Sequence, residues 1–298
     1  MTKPNFFIIG APKCGTTALY TYLQQHPDVY FPEVKEPHFF GADLHKRSDV
    51  FVLEADRYLS LFSPGRDKAI RGEASTNYVF SESAPEEIHQ FARDARIVLM
   101  LRPPVDQLYS AHAQYLYSGN EIIDDFWAAL DAEPERLTGK GIPPQIDLRE
   151  KVLYQTNLRK IPGQIRRLRD LFGSSGVKVI LLEDMKAAPQ LVYEETLEFL
   201  GVPFAPSPDF AVVNASKAPR SPAVYSLIRR FGEPFGRLRR RLSSRPLGVM
   251  SWIYRLNTVS RARPALDLER RLSLAQSYSD WVNELEELLE RDLSHWLR

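Results

Sequence analysis

Four apolar residues, Phe6-Phe7-Ile8-Ile9, run directly into Gly10-Ala11-Pro12-Lys13-Cys14-Gly15-Thr16-Thr17, and no other feature limits the fold of this chain as much. A short apolar run bounded by glycine reads as a buried strand, and the two threonines as the cap of a helix beginning near Ala18. Leu19, Tyr22 and Leu23 fall on one side of that helix, which stops at His26-Pro27. Strand, tight turn and helix in that order belong to an α/β architecture. Ligands of such folds gather at the carboxyl ends of the strands.

Two further strand-then-helix units follow. Arg96-Ile97-Val98-Leu99-Met100-Leu101 is almost continuously apolar, as strands covered on both faces are. It ends at Arg102-Pro103-Pro104, and a helix is expected from Val105 to Tyr117. Val177 to Leu182 forms the third strand, ahead of Glu183-Asp184, and Pro189 suits the first position of a helix that stops at Gly201. Residues 134–144 are polar and turn-rich and read as a surface loop. Residues 150–158 and 164–171 read as helices, and 265–297 as two helices with capping-type Ser277 and Ser279, anchored by Trp281 and Trp296. The expected whole is a single domain over 1–298: a P-loop-like three-layer α/β fold with a central parallel sheet and helices on both faces. An arginine-rich insertion or surface segment is expected at about 220–263.

Composition narrows the partners. With 298 residues the chain can bury a core without a metal or disulfide staple. Lys plus Arg is 39 and Asp plus Glu 38, which excludes a globally basic nucleic-acid-binding surface. Charge is nevertheless uneven, with eleven arginines and one acid, Glu233, between Arg220 and Arg263. That stretch is either a solvated face or a surface for an acidic substrate, carrier protein or anionic lipid; no nucleic-acid recognition module accompanies it. Cys14 is the single cysteine, so no intramolecular disulfide forms and a reducing compartment is expected. The N-terminal apolar run is too short for a signal peptide, and no run of ~18 apolar residues suggests a transmembrane helix. The expectation is a cytoplasmic chain, with peripheral membrane contact and oligomeric state left open.

The two glycines of the first turn have the separation found in a nucleoside-triphosphatase P-loop, where lysine directly follows the second glycine. Here Thr16 holds that place and Lys13 lies inside the turn. Backbone N–H groups between a strand and a helix can still cradle phosphate oxygens, with Lys13 aimed at them from another direction. A small-molecule kinase would want the lysine beside Thr16 or Thr17 and a magnesium site, and neither is evident. Cys14 could be a thiolate activated by Lys13 and the helix terminus; with no paired base in view, it reads better as a small residue filling the turn. Arg102, at the carboxyl end of its strand, shares a rim with this turn in a parallel sheet. Its planar fork suits a phosphate, and Ser110, eight residues on, can add a hydrogen bond. Taken alone, Arg102 reads as readily as a salt bridge, and Ser110 more readily as an ordinary helical serine.

The segment from Phe7 to Leu19 resembles the 5′-phosphosulfate loop of the sulfotransferases that use 3′-phosphoadenylyl sulfate (PAPS). It is most similar to the heparan sulfate 3-O- and N-sulfotransferase branch and its bacterial relatives. The resemblance implies that Lys13 contacts the oxygen bridging phosphate and sulfuryl group, with Cys14, Gly15, Thr16, Thr17 and Ala18 around the phosphate. Leu99 to Ser110 resembles the 3′-phosphate motif, implying that role for Arg102 and Ser110, with Pro103 where aspartate is frequent. Asn214 to Arg220 resembles a basic loop that closes over the nucleotide. Ser216 and Lys217 match it, Ala218 and Pro219 replace a glycine and an arginine, and Arg220 comes one place late.

Phe31 to Phe40 resembles the segment holding the catalytic glutamate, which implies Glu36 as base and His38 as second choice, either as base or as acceptor contact. His112 is expected to orient or pack. In Gly72 to Tyr78, Ala74 stands where that branch often has a lysine near the acceptor. This argues against a glycan acceptor, and leaves Lys35 to supply the charge or the chemistry to proceed with less electrostatic help. The resemblance thus implies an enzyme that moves a sulfuryl group from PAPS to a hydroxyl of a small-molecule, lipid, glycan or carrier-bound acceptor, releasing PAP, with no metal. Tyr78, Phe80, Tyr115 and Tyr117 are available to line an aromatic pocket. The alternatives are the P-loop kinase and a non-catalytic nucleotide-binding protein of the same fold.

Overall fold

The computed structural model describes residues 2–44, 51–144, 146–205, 208–210, 217–219, 258–260 and 264–298. The chain divides into two compact units, one of Met1–Val213 with Leu266–Arg298 and one of Asn214–Ala265.

The first unit is built on five strands: β1 (Phe6–Gly10), β2 (Val29–Tyr30), β3 (Ile70–Glu73), β4 (Arg96–Leu101) and β5 (Val177–Leu181). Their spatial order is β2-β3-β1-β4-β5, and every pairing is parallel. Phe6 to Ile9 and Ile97 to Leu101 are fully buried, which is why their sequences are apolar without alternation. The chain lays β2 and β3 to one side of β1 and then crosses to place β4 on the other. The carboxyl ends of β1 and β4 therefore flank the crevice where the strand order reverses. The β1–β4 register slips between Ile8 and Gly10, and the Ala11 N–H then donates to the Met100 carbonyl at 2.9 Å. The turn after β1 is thereby tied to β4.

Helices flank the sheet: α1 (Thr16–Leu23), α2 (Ala55–Ser60), α3 (Ala84–Phe91), α4 (Pro104–Ser118), α5 (Phe126–Asp131), α6 (Glu133–Leu137), α7 (Tyr154–Arg159), α8 (Ile161–Phe172), α9 (Leu182–Ala187), α10 (Pro189–Leu200), α11 (Leu268–Gln276) and α12 (Ser279–Leu289). Helix α1 packs on α10, α8 packs on β4, β5, α3 and α12, and α4 packs on α7 and α11. This is the α/β arrangement expected from the sequence. Trp281 and Trp296 are both buried with ring centroids 6.0 Å apart, and Trp281 Nε1 donates to the Leu158 carbonyl at 2.9 Å.

Several boundaries differ. Helix α1 starts at Thr16, not Ala18, because Gly15 takes the N-cap position with φ 92° and neither threonine caps it. A side chain on Gly15 would be strained there, and its Cβ would stand 2.6 Å from Leu182 Cδ1. Leu182 opens α9 and does not end β5, and α8 begins at Ile161, with Pro162 in its first turn. The helix expected over 150–158 is a 3-10 turn at Arg149–Val152 followed by α7. Ser277 ends α11, and Ser279 is the first residue of α12.

The expected surface loop at 134–144 contains most of α6, and its Arg136 is fully buried. The guanidinium meets both carboxylate oxygens of buried Glu121 at 2.7 Å, and Tyr154 Oη donates to the same carboxylate at 2.9 Å. The bidentate contact pairs the two buried charges, although Arg136 Nε has no hydrogen-bond partner, and no local hydropathy pattern announces it. Among the described residues no helix is long and apolar enough to cross a membrane. In the second unit, β6 (Lys217–Pro219) pairs antiparallel with β7 (Thr258–Ser260). The eleven arginines, Arg220 among them, lie outside the described residues, as does Ser216.

Candidate active site

The turn after β1 owes its shape to its backbone. Cys14 N–H donates to the Ala11 carbonyl at 3.2 Å, and Ala18 N–H to that of Gly15 at 2.9 Å. Lys13 sits in the left-handed region at φ 68°, a conformation that costs a non-glycine residue about 1–2 kcal/mol. The turn leads into the N-terminus of α1, whose first amides and positive dipole end favour an anion. Lys13 Nζ donates to Gln114 Oε1 on α4 at 3.1 Å. Cys14 is fully buried, and burial pushes its thiol up to about 12 although Arg102 and Lys13 pull the other way. It fills the turn as a thiol.

Arg102 leaves the end of β4 toward the same turn. Its Nη1 lies 3.5 Å from the Lys13 carbonyl, and its Nη2 lies 3.7 Å from Asp106 Oδ2, one turn into α4. Asp106 also accepts from Arg271 on α11 at 2.8 Å. Ser110 is buried on α4, two turns beyond Arg102. The turn and the arginine thus stand on one rim of the sheet. His112 packs: its Nε2 is 2.8 Å from the Ile123 carbonyl.

The segment carrying Glu36 reaches the turn from the other side. Lys35 Nζ donates to Thr17 Oγ1 at 2.7 Å and lies 3.6 Å from Glu36 Oε1. Glu36 Oε2 lies 3.6 Å from His38 Nε2. The Glu36 side chain is 34% exposed and that of His38 1%. Burial works to raise the Glu36 pKa, but the His38 hydrogen bond and the positive Lys35 and Lys151 outweigh it and hold the carboxyl below its usual range. Burial lowers the His38 pKa in spite of the neighbouring carboxylate. At neutral pH the pair is therefore an ionised glutamate beside a neutral imidazole.

A family model described as "Sulfotransferase domain" matches residues 3–216. The chain belongs to the sulfotransferase domain family. Mouse carbohydrate sulfotransferase 15 is 33% identical over 166 residues, 41% of this chain and 29% of that protein. Mouse bifunctional heparan sulfate N-deacetylase/N-sulfotransferase 4 is 27% identical over 99% of this chain and 31% of its own length. The chain therefore spans less than a third of either curated relative. Among solved structures, a sulfotransferase from Alicyclobacillus acidocaldarius is 28% identical, with a TM-score of 0.74 and 100% of both chains covered.

This sulfotransferase-family chain also places residues at the site that sequence reasoning missed. Glu73, at the end of β3, is buried and accepts from Tyr58 Oη at 2.7 Å and Tyr78 Oη at 3.2 Å. Burial raises its pKa to about 7, against the hydrogen bonds from Ser75, Tyr58 and Tyr78. That cluster holds the Glu36 segment, since His38 N–H donates to Ser75 Oγ at 3.0 Å and Phe40 N–H to Tyr78 Oη at 3.1 Å. Asn77 Nδ2 lies 3.4 Å from His38 Nε2.

Gln114 and Lys151 carried no sequence signal. The segment Gly72 to Tyr78 did, through its likeness to the acceptor-side motif at Ala74. Phe80 and Tyr115 line a cavity that also touches Pro12, Lys151 and Tyr154. Tyr78 belongs to the Glu73 cluster instead, and Tyr117 is not part of the cavity lining. Lys217 lies in β6 of the second unit.

Proposed function

We propose that the chain transfers a sulfuryl group from PAPS to an acceptor hydroxyl and releases PAP. One observation supports the reading: the Arg102 guanidinium lies 3.5 Å from the backbone of Lys13, so the two groups assigned here to phosphates stand side by side at the ends of β1 and β4. The donor set fits a nucleotide with phosphates at both its 5′ and 3′ positions. Lys13, Gly15, Thr16 and Thr17 would hold the 5′ side, and Arg102 with Ser110 the 3′ side.

Bound PAPS supplies a sulfuryl group on a phosphate leaving group. Lys13, steered by Gln114, and the amides of the turn hold the charge that gathers on that phosphate. Glu36 takes the acceptor proton. A carboxylate held below its usual pKa is a weak base, so it acts within the transfer step rather than before it. Neutral, buried His38 orients Glu36 through Nε2.

The acceptor hydroxyl enters beside Tyr115 and Lys151, because both line the cavity that touches Pro12 and both interact electrostatically with Glu36. The succession Glu36-Pro37-His38-Phe39-Phe40 supports a place near the heparan sulfate branch, while Ala74 argues for an acceptor other than a glycan. The single, buried cysteine supports a reducing compartment.

Thermal unfolding with nucleotides tests the reading. PAP is expected to raise the melting temperature well above the shift given by ADP. Arg102→Ala should remove most of that advantage, about 1.5–3 kcal/mol for hydrogen bonds to a charged group. Equal shifts from PAP and ADP in the unaltered protein would remove the 3′-phosphate assignment.

A further inference from the structure

Lys35 is held more firmly than a surface lysine needs to be. Its ammonium donates to Thr17 Oγ1 at 2.7 Å, stands 3.6 Å from Glu36 Oε1 and lies 5.6 Å from the centre of the Tyr20 ring. Ordering a long side chain that is 31% exposed costs entropy, and these neighbours offset it. Thr17 is the second residue of α1, next to the phosphate-binding turn. A hydroxyl has one hydrogen to give. With Lys35 donating to its oxygen, Thr17 keeps that hydrogen for an anion at the turn. Lys35 therefore links the base to the phosphate loop directly.

Other groups act on Glu36 from every side. His38 is on its own segment, Lys151 on the 3-10 turn at 149–152, Tyr115 on α4 and Glu73 at the end of β3. Lys151 is engaged by both oxygens of Asp147, at 2.7 and 2.9 Å. His38 is kept neutral by burial, and Tyr115 and Glu73 bring no positive charge. Among these groups, Lys35 is the cation that also touches the loop.

We infer that Lys35 is a counter-ion shared by Glu36 and the nucleotide 5′-phosphate, and that its interaction passes from the first to the second as the sulfuryl group moves. The inference rests on the donor reading above. In the step, the acceptor oxygen bonds to sulfur, and the bond from sulfur to the phosphate oxygen breaks with its electron pair left on the phosphate. The acceptor proton goes to Glu36. The carboxylate loses one negative charge and the phosphate gains one, so a cation placed between them has an anionic partner throughout. Before transfer the same cation keeps an ionised Glu36 from repelling the anionic nucleotide. Lys35 thus balances charge for two groups that would otherwise oppose one another.

PAP alone tests this, with no acceptor required. Its affinity is measured by calorimetry at pH 8 for the unaltered chain, Lys35→Met, Lys35→Arg and Glu36→Gln. Lys35→Met should weaken PAP about tenfold, whereas Lys35→Arg keeps the charge and stays within about threefold. Glu36→Gln, an isosteric stand-in for the protonated base, should tighten PAP about threefold by releasing Lys35 to the phosphate. PAP affinity unchanged in Lys35→Met, or unchanged in Glu36→Gln, overturns the inference. If Lys35→Met fails to fold by circular dichroism, Lys35→Gln replaces it, and the Glu36→Gln arm stands independently. If the unaltered chain fails to bind PAP, it is the donor reading that fails.

Discussion

The turn after β1 and the segment carrying Glu36 meet where Lys35 touches Thr17, yet they are built in opposite ways. The turn is shaped by nearby backbone: Ala11 N–H bonds to Met100, Cys14 N–H bonds back to Ala11, and Gly15 supplies the positive φ before α1. The Glu36 segment has no regular structure, and Glu36 and His38 both lie in the left-handed region, at φ 56° and 49°. Side chains far along the chain hold it there. Ser75 and Tyr78 take the N–H groups of His38 and Phe40, while Glu87 takes those of Gly41 and Ala42 at 2.7 and 3.0 Å. A backbone-built site tolerates most side-chain changes nearby. A site suspended on side chains can be moved by one substitution well away from the reacting atoms.

The largest effect is expected at Glu36, the proposed base. Glu36→Gln should lower transfer from labelled PAPS by about 10²–10⁴-fold, the usual range for a general base, while PAP still binds. Transfer at the normal rate in this variant would assign proton abstraction to His38 or to solvent. It would leave the strained geometry at Glu36 without a catalytic purpose.

Glu73 tests whether the side-chain suspension carries energy of its own. Its pKa is raised from 4.5 to about 7, burial being the main cause, so the folded state holds its proton more tightly than the unfolded chain does. Stability from this group is full below about 4.5 and is lost as pH rises toward 7, a change of about 3 kcal/mol. Glu36 contributes with the opposite sign, since its depressed pKa gives stability that is lost as pH falls. The two are separated by comparing denaturant unfolding of the unaltered chain and Glu73→Gln at pH 5 and pH 8. The glutamine variant should gain about 2.5 kcal/mol on the unaltered chain across that range, since part of the full change falls below pH 5. A constant difference would mean that Glu73 stays ionised in the fold.

The same contrast explains what could be read from sequence. The turn, β4 with Arg102, and the helices α4 and α10 lie in contiguous stretches, so spacing and periodicity reveal them. Strand β3 escapes notice because Ile70-Arg71-Gly72-Glu73 has one large apolar residue and is only four residues long. Its burial comes from neighbours that no local pattern announces. Glu73 reads as a solvent-facing carboxylate until Tyr58 and Tyr78 converge on it. Arg136 reads as loop until Glu121, fifteen residues earlier, takes both ends of its guanidinium. Gln114 looks like any helical glutamine, and its hold on Lys13 spans 101 positions. Charge balance within a buried network is a property of three dimensions. The spacing of glycines in the turn can be read along the chain, even though Met100 helps to hold it.

The smallest effect is expected at Cys14, which the sequence already reads as a small residue filling the turn. In the backbone-built turn it has no exposed surface, and its thiol is pushed up to about 12 by burial, so little thiolate exists at neutral pH. Iodoacetamide at pH 8 should leave the native chain unlabelled on the time scale that modifies the unfolded chain completely. Cys14→Ala should cost about 1 kcal/mol of stability through lost packing and leave transfer within about twofold. Rapid native labelling that abolishes PAP binding would show that the turn opens. The turn after β1 would then have to be grouped with the Glu36 segment as a structure held by contacts it can lose.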